Sequence, residues 1–128
     1  MMVAGLGCTN GTRAMVVLAA IDAALDAHGL TRADLAMLAT VPNKRDELGL
    51  IEAAEILGLP LAVPTHAQLQ AADAQGVTRS EASLASTGLG SASEAAALAA
   101  SGPGSRLLGA RLVQDGVTLA LAVSGDDQ

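Results

Sequence analysis

The chain has 128 residues, 51% of them hydrophobic, yet no Phe, Trp or Tyr, and its 7 Lys and Arg against 13 Asp and Glu leave a net charge of −6. That length is typical of one domain, and an acidic chain without aromatic rings has neither the basic footprint nor the stacking platforms of a nucleic-acid binder. The high apolar fraction argues against disorder, and the apolar run from Ala14 to Ile21 is far short of the roughly 18 residues that span a bilayer.

Met1 to Gly7 is a short apolar run ending in glycine, the pattern of a buried strand, and Cys8-Thr9-Asn10-Gly11-Thr12 is a turn-rich loop. Arg13 opens a helix with Val17, Leu18, Ile21 and Leu25 on one face and Asp22 and Asp26 on another; Gly29 sits where it stops. Thr31 to Asp34 has capping-box spacing and predicts a short helical turn. Leu35 to Val41 is a second strand. Pro42 to Arg45 breaks the pattern and leads into a helix whose first turn carries Asp46 and Glu47, suited to the positive end of a helix dipole. Gly58 ends that helix, Pro60 follows, and Leu59 to Val63 is a third strand.

Thr65 to Ala74 reads as a short helix anchored by Leu69, whereas Gln75 to Thr87 is small, polar and weakly periodic. Ser91 and Glu94 have capping-box spacing ahead of an Ala-rich helix over 92–100, and Ser101 to Ser105 is a break. Arg106 to Val113 and Val117 to Val123 are two β-rich runs around Gln114-Asp115-Gly116, a hairpin signal. The expected fold is a three-layer α/β/α sandwich, its sheet mostly parallel with a C-terminal antiparallel hairpin at one edge. Residues 1–123 read as one domain and 124–128 as a tail, with no internal repeat. No Lys or Arg precedes Arg13, so no secretory leader is expected, and one Cys cannot close an internal disulfide. A cytoplasmic location is the expectation.

The loop from Gly5 to Thr12 exposes backbone N–H groups between a strand and a helix, which favours anions. Its glycines at 5, 7 and 11 miss a dinucleotide fingerprint, and the phosphate-loop Lys is absent. Carboxylates therefore suit it better than nucleotide phosphates. Cys8 lies near a helix start, where a thiolate is favoured, but no His stands near it in the chain, and packing is the commoner role of such a residue. His28 and His66 have no ligand-like spacing, so no metal site is expected. Lys44, Asp46 and Glu47 follow the second strand, on the edge where open parallel sheets hold ligands. Gly88-Leu89-Gly90-Ser91 is a further capped helix start with backbone donors.

Gly5-Leu6-Gly7-Cys8 followed by Gly11-Thr12, then Leu38-Ala39-Thr40, Lys44 and Asp46-Glu47-Leu48-Gly49-Leu50 resemble the CobE/CbiG C-terminal domain family. Thr87-Gly88-Leu89-Gly90-Ser91 leading to Glu94-Ala95-Ala96-Ala97-Leu98, and the closing Val117-Thr118-Leu119-Ala120-Leu121-Ala122, extend the match in the family's order over nearly the whole chain. With no domain ahead of it, the chain resembles the family's stand-alone form. The resemblance implies a role in corrin-ring construction during cobalamin biosynthesis. The family's longer members open a lactone on the macrocycle and release a two-carbon aldehyde, and the stand-alone form is expected to bind or shepherd a precorrin intermediate.

A precorrin carries many acetate and propionate carboxylates, which suits the glycine loops. The ligand-binding set expected on this resemblance is Gly7, Cys8, Gly11, Thr12, Arg13, Lys44, Glu47, Gly88, Gly90, Ser91, Glu94, Arg111 and Thr118, with no cofactor or metal. Arg111 stands where the family often has Lys, keeping the charge but not a neutral amine. Two other readings stay open. One is an α/β hydrolase of an anionic substrate using Cys8 or Glu47; the other is a non-catalytic partner of a corrin-pathway enzyme, docking through the 92–100 helix. No complete catalytic constellation is present, so binding or assistance ranks above independent catalysis.

Overall fold

The computed structural model describes residues 1–125. The N-terminal apolar run is strand β1, Met2–Cys8, and the helix opened by Arg13 is α1, Ala14–Ala27. Thr31 N donates to Asp34 Oδ2 at 2.9 Å, closing the expected short turn at Arg32–Asp34 ahead of β2, Met37–Ala39. Next come α2, Leu48–Leu57, β3, Leu61–Ala62, and α3, His66–Asp73. Helix α4 is Glu81–Thr87, α5 is Ala92–Ser101, and strands β4, Arg106–Leu107, β5, Leu112–Gln114, and β6, Val117–Val123, complete the chain.

The sheet order is β3-β2-β1-β6-β4, with β5 also paired to β6. β1, β2 and β3 are mutually parallel, whereas β6 is antiparallel to β1, β4 and β5. Among the described strands β6 is thus the one reversed, and the sheet is otherwise parallel in direction. The Asp-Gly signal gives the β5–β6 hairpin, with φ of 50° at Asp115 and 81° at Gly116, the left-handed pair of a tight primed turn. Side chains alternate across β1 and β6. Ala4, Leu6, Cys8, Val117, Leu119 and Leu121 pack under α1 and α2, while Val3, Ala120 and Ala122 belong to the opposite face under α3 and α5. This is the expected α/β/α sandwich.

Four local expectations change. Asp46 and Glu47 are not in the first turn of α2: Pro42–Lys44 forms a 3-10 turn, Glu47 is the extended N-cap, and the helix starts at Leu48. The entry point is set by packing, because a Cβ at Gly49 would collide with the Thr12 carbonyl oxygen. The weakly periodic stretch 75–87 contains α4, capped by Ser80, whose Oγ accepts from Ser83 N at 3.3 Å. Arg106 to Val113 is two strands rather than one: the backbone bends over 108–110, and Arg111 beyond the bend donates its N–H to Glu94 Oε2 at 2.9 Å. Finally, the Ala-rich helix offers no flat docking face. Ser93 to Leu98 are buried between α3 and the sheet. Of the expected tail, Ser124 N donates to Met1 O at 2.8 Å, and 126–128 lie outside the described residues.

Candidate functional site

β1 ends at Gly7 and Cys8, and β6 enters beside it in the opposite direction, pairing Gly7 with Thr118 and Cys8 with Val117. A cleft of about 520 Å³ opens there, at the carboxyl edge of the parallel strands. Its floor is Gly7, Cys8 and Thr118; its walls are Thr9 and Asn10, Asn43 and Lys44, Arg111, and the α4 segment through Ser80, Ser83 and Thr87. Gly7 is small for a local reason: a Cβ there would lie 2.7 Å from Thr118 Oγ1. Thr9 N donates to Gly116 O at 3.0 Å, which ties the glycine loop to the hairpin turn.

The electrostatics of the cleft are carried by two cations. Lys44 Nζ donates to Asn10 Oδ1 at 2.7 Å, and Arg111 lines the same space from just before β5. Both are half-buried, and among the described residues neither forms an ion pair with a carboxylate. The Cys8 thiol is buried, and desolvation, helped by the nearby Glu47 carboxylate, pushes its pKa above the ordinary thiol value despite Lys44 and the Thr12 hydroxyl. It is a protonated, packed thiol at neutral pH.

Of the residues expected from sequence, Gly7, Cys8, Lys44, Arg111 and Thr118 meet in the cleft. Gly11 and Thr12 of the glycine loop and Glu47 at the N-cap of α2 are outside the lining; Gly11 N donates to Glu47 Oε1 at 2.8 Å and Thr12 Oγ1 to Thr9 O at 2.7 Å. Arg13 is the exposed N-cap of α1 and is absent from the lining. Gly88 caps α4 at φ 75°, and Gly90 N is taken by Asp73 Oδ1 at 2.9 Å. Ser91 Oγ accepts from Glu94 N at 3.3 Å, which is half of the capping box. The other half is missing because Glu94 faces elsewhere, accepting from Val77, Thr78 and Arg111. Ser80, Ser83 and Thr87 were not expected in the site. Their helical spacing of three and four is the signal that could have found them.

Among the described residues, no group of three or more His, Cys, Asp or Glu is placed to hold a metal ion, and no helix is long and apolar enough to cross a membrane. The sequence matches the family model described as cobalamin synthesis G C-terminus over residues 2–122. The chain belongs to that family. It is a protein of cobalamin biosynthesis. Protein CobE of a Sinorhizobium species is 32% identical over 121 residues, covering 94% of this chain and 79% of that protein. The crystal structure of CobE, a protein from the cobalamin (vitamin B12) biosynthetic pathway, superposes with a TM-score of 0.90 at 36% identity, over 95% of this chain and 89% of that one. Cobalamin biosynthesis protein chiG from Agrobacterium tumefaciens has a TM-score of 0.79 at 46% identity, over 98% of this chain and all of that one. The family's sandwich is thus the architecture that brings the glycine loop, Lys44 and Arg111 to one edge.

Proposed function

We propose that the cleft binds a tetrapyrrole intermediate of corrin assembly by its peripheral carboxylates. The observation that carries this reading is the pair Lys44 and Arg111, two half-buried cations without carboxylate partners among the described residues, lining one cleft in a chain of net charge −6. Thr118, Asn43 and the loop 7–10 supply neutral polar and backbone groups around them. A site of about 520 Å³ takes one carboxylate-bearing edge of a macrocycle, with aliphatic and small side chains against the ring. The same reading supports binding ahead of lactone opening or hydrolysis. The Cys8 thiol is held protonated by burial, and no His is among the lining residues.

The test is a titration with hydrogenobyrinic acid followed by absorbance and gel filtration, since a protein without Trp, Tyr or Phe contributes almost no background. The pigment band shifts, colour elutes with the protein, and affinity falls as salt rises. Lys44→Ala and Arg111→Ala each weaken binding by about 1.5–3 kcal/mol, the cost of a lost charge-assisted contact. Absence of uptake, or uptake indifferent to both substitutions, overturns the reading. Tight association with a corrin-pathway enzyme without pigment uptake replaces it by a docking role.

A further inference from the structure

Behind the cleft, Glu94 is completely buried near the start of α5 and collects four donors on its two oxygens. Oε1 accepts from the backbone N–H groups of Val77 and Thr78, each at 2.8 Å. Oε2 accepts from Thr78 Oγ1 at 2.7 Å and from Arg111 N at 2.9 Å. These donors come from Arg111, which lines the cleft, and from the segment that leads into its α4 wall. Thr78 stands two residues before Ser80, which opens α4, and the loop that carries α4 is closed at its base by Ser80 N donating to Gly90 O at 2.7 Å. Arg111 is the cationic wall itself.

We propose that Glu94 is the positioning residue of the site: one buried carboxylate that sets the Arg111 backbone and the root of the α4 wall together, so that the two walls hold a common geometry toward a carboxylate ligand. The proposal rests on the binding reading above. A carboxylate only accepts, which suits four converging donors, whereas a carboxamide brings two donors of its own and must lose some of them. Glu94 touches no ligand, so its effect on binding passes through Arg111 and the α4 wall.

The experiment is a double-mutant cycle on hydrogenobyrinic acid binding with Glu94→Gln, Arg111→Ala and the pair, alongside amide hydrogen exchange. Independent sites combine within about twofold in affinity. Here the double variant binds no more than about twofold worse than Glu94→Gln alone, because the Arg111 contribution is already gone, and the salt dependence flattens equally in both single variants. The amides of Val77, Thr78 and Arg111 lose protection together. Leu38→Ala, which destabilises from the far face of the sheet, keeps wild-type affinity and salt dependence. Additive losses, or unchanged exchange at those three amides, overturn the proposal. Thr78→Val, which deletes one donor and keeps the shape, gives a smaller loss of the same kind and serves where Glu94→Gln does not fold. Failure of the wild type to bind pigment refutes the binding reading alone, and the exchange measurement then decides whether Glu94 joins the two walls.

Discussion

On the α1/α2 face of the sheet, Leu6, Leu38 and Leu119 interdigitate with Val17, Ile21, Leu25 and Leu50, whereas on the α3/α5 face Ala39, Ala120 and Ala122 meet Ala95, Ala96 and Ala97. The first face fills its volume with branched aliphatics. The second removes the volume, bringing the α5 backbone so close that a Cβ at Gly5 would collide with the Ser93 carbonyl oxygen and lie 2.6 Å from Ala97 N. A chain without aromatic rings therefore closes its core in two ways, and the second carries a cluster of polar side chains at depth. Ser91, Ser93 and Glu94 are almost entirely buried on α5 or at its cap, with their hydrogen bonds satisfied. The oily face supplies stability, and the close-packed face holds the polar brace behind the cleft.

The two faces should respond to opposite insults. Leu38→Ala opens a cavity on the oily face and costs about 2–5 kcal/mol in urea unfolding. A loss below 1 kcal/mol would mean that this face relaxes as readily as a loose one. Gly5→Ala adds a single methyl to the other face and still costs about 1–3 kcal/mol, because the atoms it meets are backbone. A neutral Gly5→Ala would show the α5–sheet spacing to be adjustable and dissolve the contrast.

At the seam between the oily layer and the cleft, Cys8→Ser costs about 1 kcal/mol for burying a hydroxyl and leaves pigment binding in place. Loss of binding with intact folding would make the thiol a functional group. Because the Cys8 pKa is raised in the folded chain, its contribution to stability is fully present below the ordinary thiol pKa and is lost as pH rises toward the folded value. Alkylation of the wild type is correspondingly slow at neutral pH. The smallest effect belongs to the rim, where Arg32 Nε and Asp22 Oδ1 lie 2.8 Å apart with both side chains about half exposed. The Arg32 hydrogen bond lowers the Asp22 pKa, so its stabilisation is present above the ordinary Asp value and disappears as acid protonates the group. Asp22→Asn changes stability at neutral pH by only a few tenths of a kcal/mol, and a larger change would place this rim pair among the core contributions.

The features legible in the chain are those with local causes. Gly58 stops α2 at φ 69°, Asp115-Gly116 makes the hairpin turn, and Thr65 caps α3 through Gln68 N at 3.2 Å. The glycine loop and Lys44 were visible as anion-seeking features, whereas Arg111 entered only through the family resemblance. α4 was not legible as a helix, because its three-and-four spacing is carried by the polar Ser80, Ser83 and Thr87 and the stretch lacks the apolar period that marks a buried face. Arg13 lies beside the glycine motif in the chain yet turns away as the exposed cap of α1.

The sequence by itself determined the order of most strands and helices, the three layers, and a core built without rings, since φ preferences, caps and hydrophobic periods act over a few residues; the start of α2 and the break between β4 and β5 it did not determine. Tertiary structure alone decided that residues 44 and 111 face one cleft, because that requires β6 to run antiparallel beside β1, a pairing of residues more than 100 apart. It also decided the fate of Glu94. The spacing from Ser91 promised a local capping bond, but Val77, Thr78 and Arg111 bring four donors to the same carboxylate and outcompete one backbone N–H.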